Sequence, residues 1–342
     1  MLKPLLLFIA SIYAINADTE CPVTLKKNLH QDRRTNKSTL KIMQYNVEWL
    51  FVDYYKSADC PGHGCTWANS SESNTHLEYV SKIINEINPD IINLCEVEGC
   101  DELNLLSEKL NANYIPYLKK GTDSSTGQNV GMLTQIDPLI DLYRTEDRAD
   151  YPIIGSKCGY TGAPGNTGVS KHFITEYKLY DRNVAFISAH LLAYPTDPSR
   201  CAQREAQAQV IQNVIYSYYK KDYEIIMLGD LNDYDAEILD MNNNDPISQV
   251  LDILKGNVGI NKGLFQLINL AEIIPKEKRF TEWWDVNADC KPVQQGYSMI
   301  DHILVTPFLR EKVKDIYIYQ NYSQFCGTYN SDHYPVIFEF EL

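Results

Sequence analysis

The chain has 342 residues, 44% of them hydrophobic and 11% aromatic, enough to bury one large core or two ordinary ones. Its formal net charge is −14, which excludes a protein that grips nucleic acid by counterion release alone, since such proteins are basic. A polyanionic substrate would need a metal ion to offset repulsion; the plainer alternative is a soluble acidic protein with no such substrate.

In chain order, Lys3 precedes an uncharged apolar run, Leu5 to Ile15, followed by the small residues Ala14 and Ala17. This is the pattern of a secretory signal peptide over residues 1–17, cut after Ala17. The other reading, a membrane anchor, asks a short run to span a bilayer. No later stretch approaches transmembrane length. Residues 18–39 read as a lead-in, and residues 40–342 as one domain without repeats or linkers.

Leu40 to Val47 reads as a strand, and His76 to Ile87 as a helix ended by Asn88-Pro89. Asp90 to Val97 is a buried strand, Glu102 to Leu110 a helix, and Val130 to Gln135 a strand. Tyr151 to Val169 is Gly-rich and irregular. Lys171 to Tyr180 and Asn183 to His190 form a hairpin across Asp181-Arg182. Arg200 to Tyr219 is a long helix, Tyr223 onward a buried strand, and Pro246 to Ile274 partly helical. Phe280 to Trp284, Met299 to Val305, Ile316 to Tyr319 and Val336 to Phe340 read as strands. Alternation of this kind predicts an α/β or α+β sandwich.

The nine cysteines fit an oxidising compartment, with one left over. Spacing suggests Cys60–Cys65 and Cys95–Cys100 as small loops, with Cys158–Cys201 and Cys290–Cys326 as longer bridges. Asn36, Asn69 and Asn321 lie in glycosylation sequons. Together with the leader they place the chain outside the cell, or in the lumen of the secretory or endolysosomal pathway.

Polar residues interrupt the apolar strands at their ends. Asn46 and Glu48 follow the first strand, and Glu96 the second. His190 ends the hairpin, and Asp230 and Asn232 follow the run Glu224 to Leu228. Asp301 sits between Ile300 and Ile303, and Asp332-His333 precede the last strand. Each alone reads as a turn or a solvated edge. Together they supply oxygen ligands for Mg²⁺, Mn²⁺ or Ca²⁺ and two imidazoles for acid–base work. That inventory suits metal-assisted phosphoester hydrolysis, and it contains neither a nucleophile elbow nor a phosphate-cradling Gly loop.

The ordered set QYNVEWL (Gln44 to Leu50), NLCEVEG (Asn93 to Gly99), NVGMLT (Asn129 to Thr134), ISAHL (Ile187 to Leu191), MLGDLND (Met227 to Asp233), SMIDHILV (Ser298 to Val305) and SDHYPV (Ser331 to Val336) resembles the endonuclease/exonuclease/phosphatase superfamily, with the deoxyribonuclease I-like fold. The resemblance implies a four-layer α/β sandwich of two packed mixed sheets flanked by helices. It implies Glu96 as main Mg²⁺ ligand, with Asn46, Asp332 and, more loosely, Glu48 beside it. It makes Asp230 and Asn232 the residues that position water, and His333 the imidazole at the scissile phosphate, held by Asp301. His190 matches a histidine of the deoxyribonuclease-like branch. Asn129 stands in a segment where relatives buttress that histidine with a carboxylate; Glu176 is the candidate substitute. Arg200 and Arg204 follow His190, and one of them is expected to touch phosphate, unless it pairs with Glu205 or another acid. Trp283 and Trp284 could flank a substrate base, although alternating strand positions favour core packing.

The expectation is a secreted, metal-dependent nuclease acting as a monomer on DNA or RNA, with no stable protein partner. A sphingomyelinase-like or phosphoinositide phosphatase-like enzyme, and a secreted inactive binding scaffold, are the alternatives.

Overall fold

The computed structural model describes residues 20–21, 30–52, 67, 69–322 and 331–342. The expected signal peptide, Cys60, Cys65 and Cys326 lie outside the described residues. The elements run β1 (Thr39–Leu50), α1 (Ser70–Ile87), β2 (Ile91–Val97), α2 (Cys100–Glu108), β3 (Ile115–Leu118) and β4 (Asn129–Thr134). There follow β5 (Ala149–Tyr151), β6 (Gly165–Thr167), β7 (Lys171–Leu179), β8 (Arg182–His190), α3 (Pro198–Tyr219), β9 (Glu224–Asp230) and α4 (Val250–Lys255). The chain closes with β10 (Ile268–Asn269), β11 (Glu282–Trp283), β12 (Tyr297–Ser298), β13 (Asp301–Val305), α5 (Pro307–Lys312), β14 (Val313–Ile318) and β15 (Val336–Glu341).

Alternation along the strands makes the layers. In β1, Ile42 faces a core shared by both sheets, while Met43 faces α1 and α2. In β9, Ile226 and Leu228 enter the shared core, while Ile225 and Met227 pack under α3 and α4. One sheet has the order β14-β15-β1-β2-β4-β3, the other β10-β13-β9-β8-β7. Both mix parallel and antiparallel pairs, β1 being parallel to β2 and β8 to β9. The result is the four-layer α/β sandwich.

Most expected elements are present with shifted ends. Helix α1 begins at Ser70 because the Asn69 side chain accepts the Ser71 and Glu72 N–H groups, and it ends at Asn88, whose left-handed conformation caps it. The hairpin β7–β8 turns at Tyr180 and Asp181, both at positive φ. Among its described residues, the lead-in is tied to the domain at Arg33, which pairs with Asp137 at 2.8 Å. Strand β3 carries no sequence signal beyond four mostly apolar residues.

The cysteine expectation is corrected at one pair. Cys95 is buried and unpaired, and Cys100 bonds Cys21 instead. The strand geometry explains it: Cys95 points into the core between the sheets, whereas Cys100 opens α2 on the outer face. Cys158–Cys201 forms as expected, and Cys290 is disulfide-bonded.

Candidate active site

The site grows from two irregularities in one sheet. The β1–β2 register shifts between Asn46 and Leu50, and the β2–β4 register between Cys95 and Val97. Such bulges re-aim side chains. Glu48, Trp49 and Glu96 all take positive φ, a conformation that costs a non-glycine residue and survives only where the surroundings enforce it. Here they do: the Trp49 N–H donates to Glu96 Oε2 at 3.1 Å. Asn46 Nδ2 donates to Glu96 Oε1 at 3.2 Å and to Asp230 Oδ2 at 2.9 Å. Its amide oxygen takes the Glu48 N–H. Asn46 thus orients two carboxylates with its nitrogen, and its oxygen is turned to the backbone.

The second sheet delivers His190 and Asp230 from the ends of parallel neighbours β8 and β9. Their approach depends on Gly229, at φ +147°, where a Cβ would lie 1.8 Å from the Ala189 carbonyl oxygen. His190 Nε2 stands 3.5 Å from Asp230 Oδ2 and 4.0 Å from Glu96 Oε1. Asn232, at φ +50°, gives its N–H to Asp230 Oδ1 and its side-chain N–H to Leu191 O. On the other side of β9, Asp301 of β13 lies directly opposite Asp230.

Asp301 is held by a relay. Buried Asn93 donates to Gln44 Oε1, and Gln44 donates to Asp301 Oδ1 at 3.1 Å. Asp301 Oδ2 then takes His333 Nδ1 at 2.7 Å. Ser331 Oγ ties the last loop to β1 by donating to the Asn46 carbonyl, and Glu48 accepts the Asp332 N–H. Gln44 and Asn93 were missed in the sequence reading, although a polar residue amid IMQYNV or IINLCEV is a legible signal. Glu282 was also missed: it bridges His333 through the backbone and receives a hydrogen bond from Ser298 Oγ.

Electrostatics divide the histidines. Burial holds His190 well below its ordinary value, with Lys171 and His333 adding to the effect. Desolvation opposes charge on His333 too, but Asp301, then Asp332 and Asp230, override it and hold the imidazolium well above its ordinary value. Burial, and then Asp301, push Asp230 up to about 8. Burial and the Glu48 charge push Asp332 well up, although 42% of its side chain meets solvent.

The donor chemistry fits a hard divalent cation. Among the described residues, the basic groups close to Glu96, Asp230, Asp301 and Asp332 are His190, which burial keeps neutral, and His333. Crowded carboxylates with so little compensation suit Mg²⁺, Mn²⁺ or Ca²⁺. The nearby Cys95 thiol is pushed up by burial, so it offers no thiolate. Asp230, Asp301 and His333 bring ligand atoms within 4.8 Å of one another, but the His333–Asp301 hydrogen bond already occupies that group. Glu96, whose charge acts on Asp332 together with that of Glu48, is a second group that could hold such an ion.

Three expectations fall elsewhere. Arg204 is fully buried. Its guanidinium pairs with Asp233 at 2.9 Å and donates to the carbonyls of Leu192, Ala193, Tyr194 and Pro195. It clamps the loop after His190 and has no path to a phosphate; an Arg in a helical stretch of sequence gives no hint of this. Arg200 instead lies over the Tyr194 ring, 5.5 Å from its centroid. Glu176 takes the hydroxyls of Tyr218 and Tyr223, on the part of β7 that pairs with Ala185 rather than His190. Asn129 donates to the Glu98 and Gly127 carbonyls. Among the described residues His190 Nδ1 is buried without a hydrogen-bond partner, so Glu176 is not its buttress.

The family model described as "Endonuclease/Exonuclease/phosphatase family" matches residues 43–333. An endonuclease/exonuclease/phosphatase family protein from Leptotrichia buccalis superposes with a TM-score of 0.54 at 14% identity, covering 89% of this chain and 100% of that one. A humanized D. rerio TDP2 superposes at 0.51 and 15% identity, with 89% and 100% covered. D. rerio TDP2 complexed with a single-strand DNA product gives the same TM-score, identity and coverage. At these identities the structures speak for the fold alone. No curated protein matches the chain by sequence. The family match and the converging acids and histidines make the chain a member of the endonuclease/exonuclease/phosphatase family, a metal-dependent phosphoester hydrolase with the deoxyribonuclease I-like fold.

Proposed function

We propose that the chain is a secreted nuclease that hydrolyses phosphodiester bonds of DNA or RNA. The observation that carries the chemistry is Asp230, held by Asn46 and flanked by both histidines. A bound divalent cation on Glu96 would supply charge stabilisation at the phosphate. Asp230 orients the attacking water and, in its ionised form, receives its proton, burial and Asp301 making that carboxylate a stronger base. His333, charged and backed by Asp301, faces the site with Nε2 and donates to a phosphate or leaving oxygen. His190, kept neutral, hydrogen-bonds from the opposite side. Asn232 braces Asp230 through the backbone.

The nucleic-acid substrate is supported by the DNA product bound to D. rerio TDP2. Secretion is supported by the leader-like segment, by the Cys21–Cys100 and Cys158–Cys201 disulfides and by the exposed sequons at Asn36, Asn69 and Asn321. The test incubates the purified glycosylated chain with plasmid DNA, single-stranded RNA, sphingomyelin vesicles and an inositol phosphate, each with Mg²⁺ or with EDTA. Cleavage of DNA or RNA that needs Mg²⁺ and disappears in Glu96→Gln is expected. Turnover of lipid or inositol phosphate alone overturns the nuclease reading, and Mg²⁺-independent activity overturns the role of the acids.

A further inference from the structure

The bulge that builds the site is held from its far side. Between Asn46 and Leu50 the register of β1 with β2 breaks, and the pairing of β1 with β15 ends at Gln44. Val47, Glu48 and Trp49 therefore lie outside both registers. Val47 and Glu48 are buried, and a buried carbonyl needs a donor. Two side chains supply it. His76 Nε2–H donates to the Val47 carbonyl at 2.6 Å; a carbonyl only accepts, so this ring nitrogen carries the hydrogen. The Trp67 indole N–H donates to Trp49 O at 2.8 Å and to Glu48 O at 3.3 Å. The two rings stack on each other, 26° from parallel with centroids 4.2 Å apart, and each residue is 2% exposed. His76 comes from the buried face of α1, whose start is fixed by the Asn69 cap.

The same peptide units serve the site with their other ends. A peptide group is planar and trans, so a carbonyl fixed on one side aims the next N–H to the opposite side. The Val47 carbonyl shares its plane with the Glu48 N–H, which donates to Asn46 Oδ1 at 3.0 Å and so leaves Asn46 Nδ2 for Glu96 and Asp230. The Glu48 carbonyl shares its plane with the Trp49 N–H, which donates to Glu96 Oε2 at 3.1 Å. Glu48 and Trp49 both take positive φ, a conformation that persists only where its surroundings over-determine it. His76 and Trp67 are those surroundings on the α1 side.

We infer that His76 and Trp67 are positioning residues of the divalent-cation site. Without touching the ion or the substrate, they hold the two peptide units that aim Asn46 and Glu96. The inference rests on the reading of Glu96 as a group that holds the ion, and it is independent of which phosphoester is cleaved.

The experiment titrates Mn²⁺ into the purified glycosylated chain by calorimetry, without substrate, and records the melting temperature of each variant. Trp67→Phe keeps a ring in the stack and removes the N–H. His76→Leu removes the donor to Val47, and His76→Gln returns one. Trp67→Phe and His76→Leu are expected to weaken Mn²⁺ binding about tenfold, the low end for groups that orient ion-holding residues, and His76→Gln to recover most of it. Val80→Ala, on the same buried face of α1, is the structural control: it should lower the melting temperature and leave the Mn²⁺ affinity in place. Unchanged affinity in Trp67→Phe and His76→Leu overturns the inference, and so does an equal weakening in Val80→Ala. If Glu96→Gln binds Mn²⁺ as the wild type does, the ion sits elsewhere and the inference falls with that reading. Affinities in the expected order, in a chain that cleaves no nucleic acid, uphold the inference and overturn only the nuclease reading.

Discussion

The two halves of the site treat the same side chain in opposite ways. On the β8 side His190 is buried beside Lys171, its cross-strand neighbour, and among the described residues its Nδ1 has no hydrogen-bond partner. On the β13–β15 side His333 is equally buried, yet Asp301 takes its Nδ1–H at 2.7 Å, and Gln44 and Asn93 hold Asp301 in turn. Burial alone drives an imidazole towards neutrality; a well-supported carboxylate reverses the outcome. The lesson is that acid and base roles follow from what stands behind each ring, since pairs of titratable groups pushed apart mark the assignments.

The comparison is broken most severely by truncating the rings. A positioned acid or base contributes roughly 10²–10⁴-fold, so His333→Ala should lie near the upper end of that range in kcat and His190→Ala near the lower. Equal losses would show that the two environments do not matter to the reaction. Asp301→Asn is gentler. It keeps the shape but removes the charge behind His333, and a loss of about tenfold to a hundredfold in kcat with KM little changed is expected, a factor scaled from general acid–base contributions. The diagnostic is the pH–rate profile: it should move for Asp301→Asn and stay in place for Gln203→Ala on the surface of α3.

A third buried histidine sharpens the comparison without touching activity. His172 accepts the Thr145 N–H at Nε2 and meets the Val169 carbonyl at Nδ1, so both nitrogens are used in the neutral form. Burial first, then Arg144, push it down from 6.5 to about 4. The unfolded chain binds that proton more readily than the folded one. Stability from this group is therefore full above pH 6.5 and is lost as pH falls from 6.5 towards 4, a contribution of roughly 3 kcal/mol at most. Melting temperature against pH should show this slope, and His172→Gln, able to accept from one partner and donate to the other, should flatten it. A slope identical in both would assign the acid sensitivity to other groups.

Much of this was legible because an acid, amide or imidazole at the end of an apolar strand is costly there unless it has work to do. Asn46, Glu96, His190, Asp230, Asp301 and His333 all announced themselves in that way, and the strands that carry them fixed the layer order. What stayed hidden was contact across the sequence. Nothing local distinguishes Arg204 from a solvated helix residue, or Glu176 from a partner of His190. Cys95 and Cys100 looked like a pair by spacing, but one sits on a core-facing strand position and the other on a helix outside the sheet. Glu282 escaped because it lies between aromatic residues in a segment whose alternation suggested packing.

The Arg204 clamp has a consequence for how this enzyme can change. Its guanidinium addresses Leu192, Ala193, Tyr194 and Pro195 only through their carbonyl oxygens, a group that every amino acid carries. The path of the loop beside His190 is thereby dictated from beneath, while the identity of its outward side chains is left unspecified. Such a segment can exchange its surface residues, and with them its taste in ligands, without renegotiating the backbone that supports the imidazole.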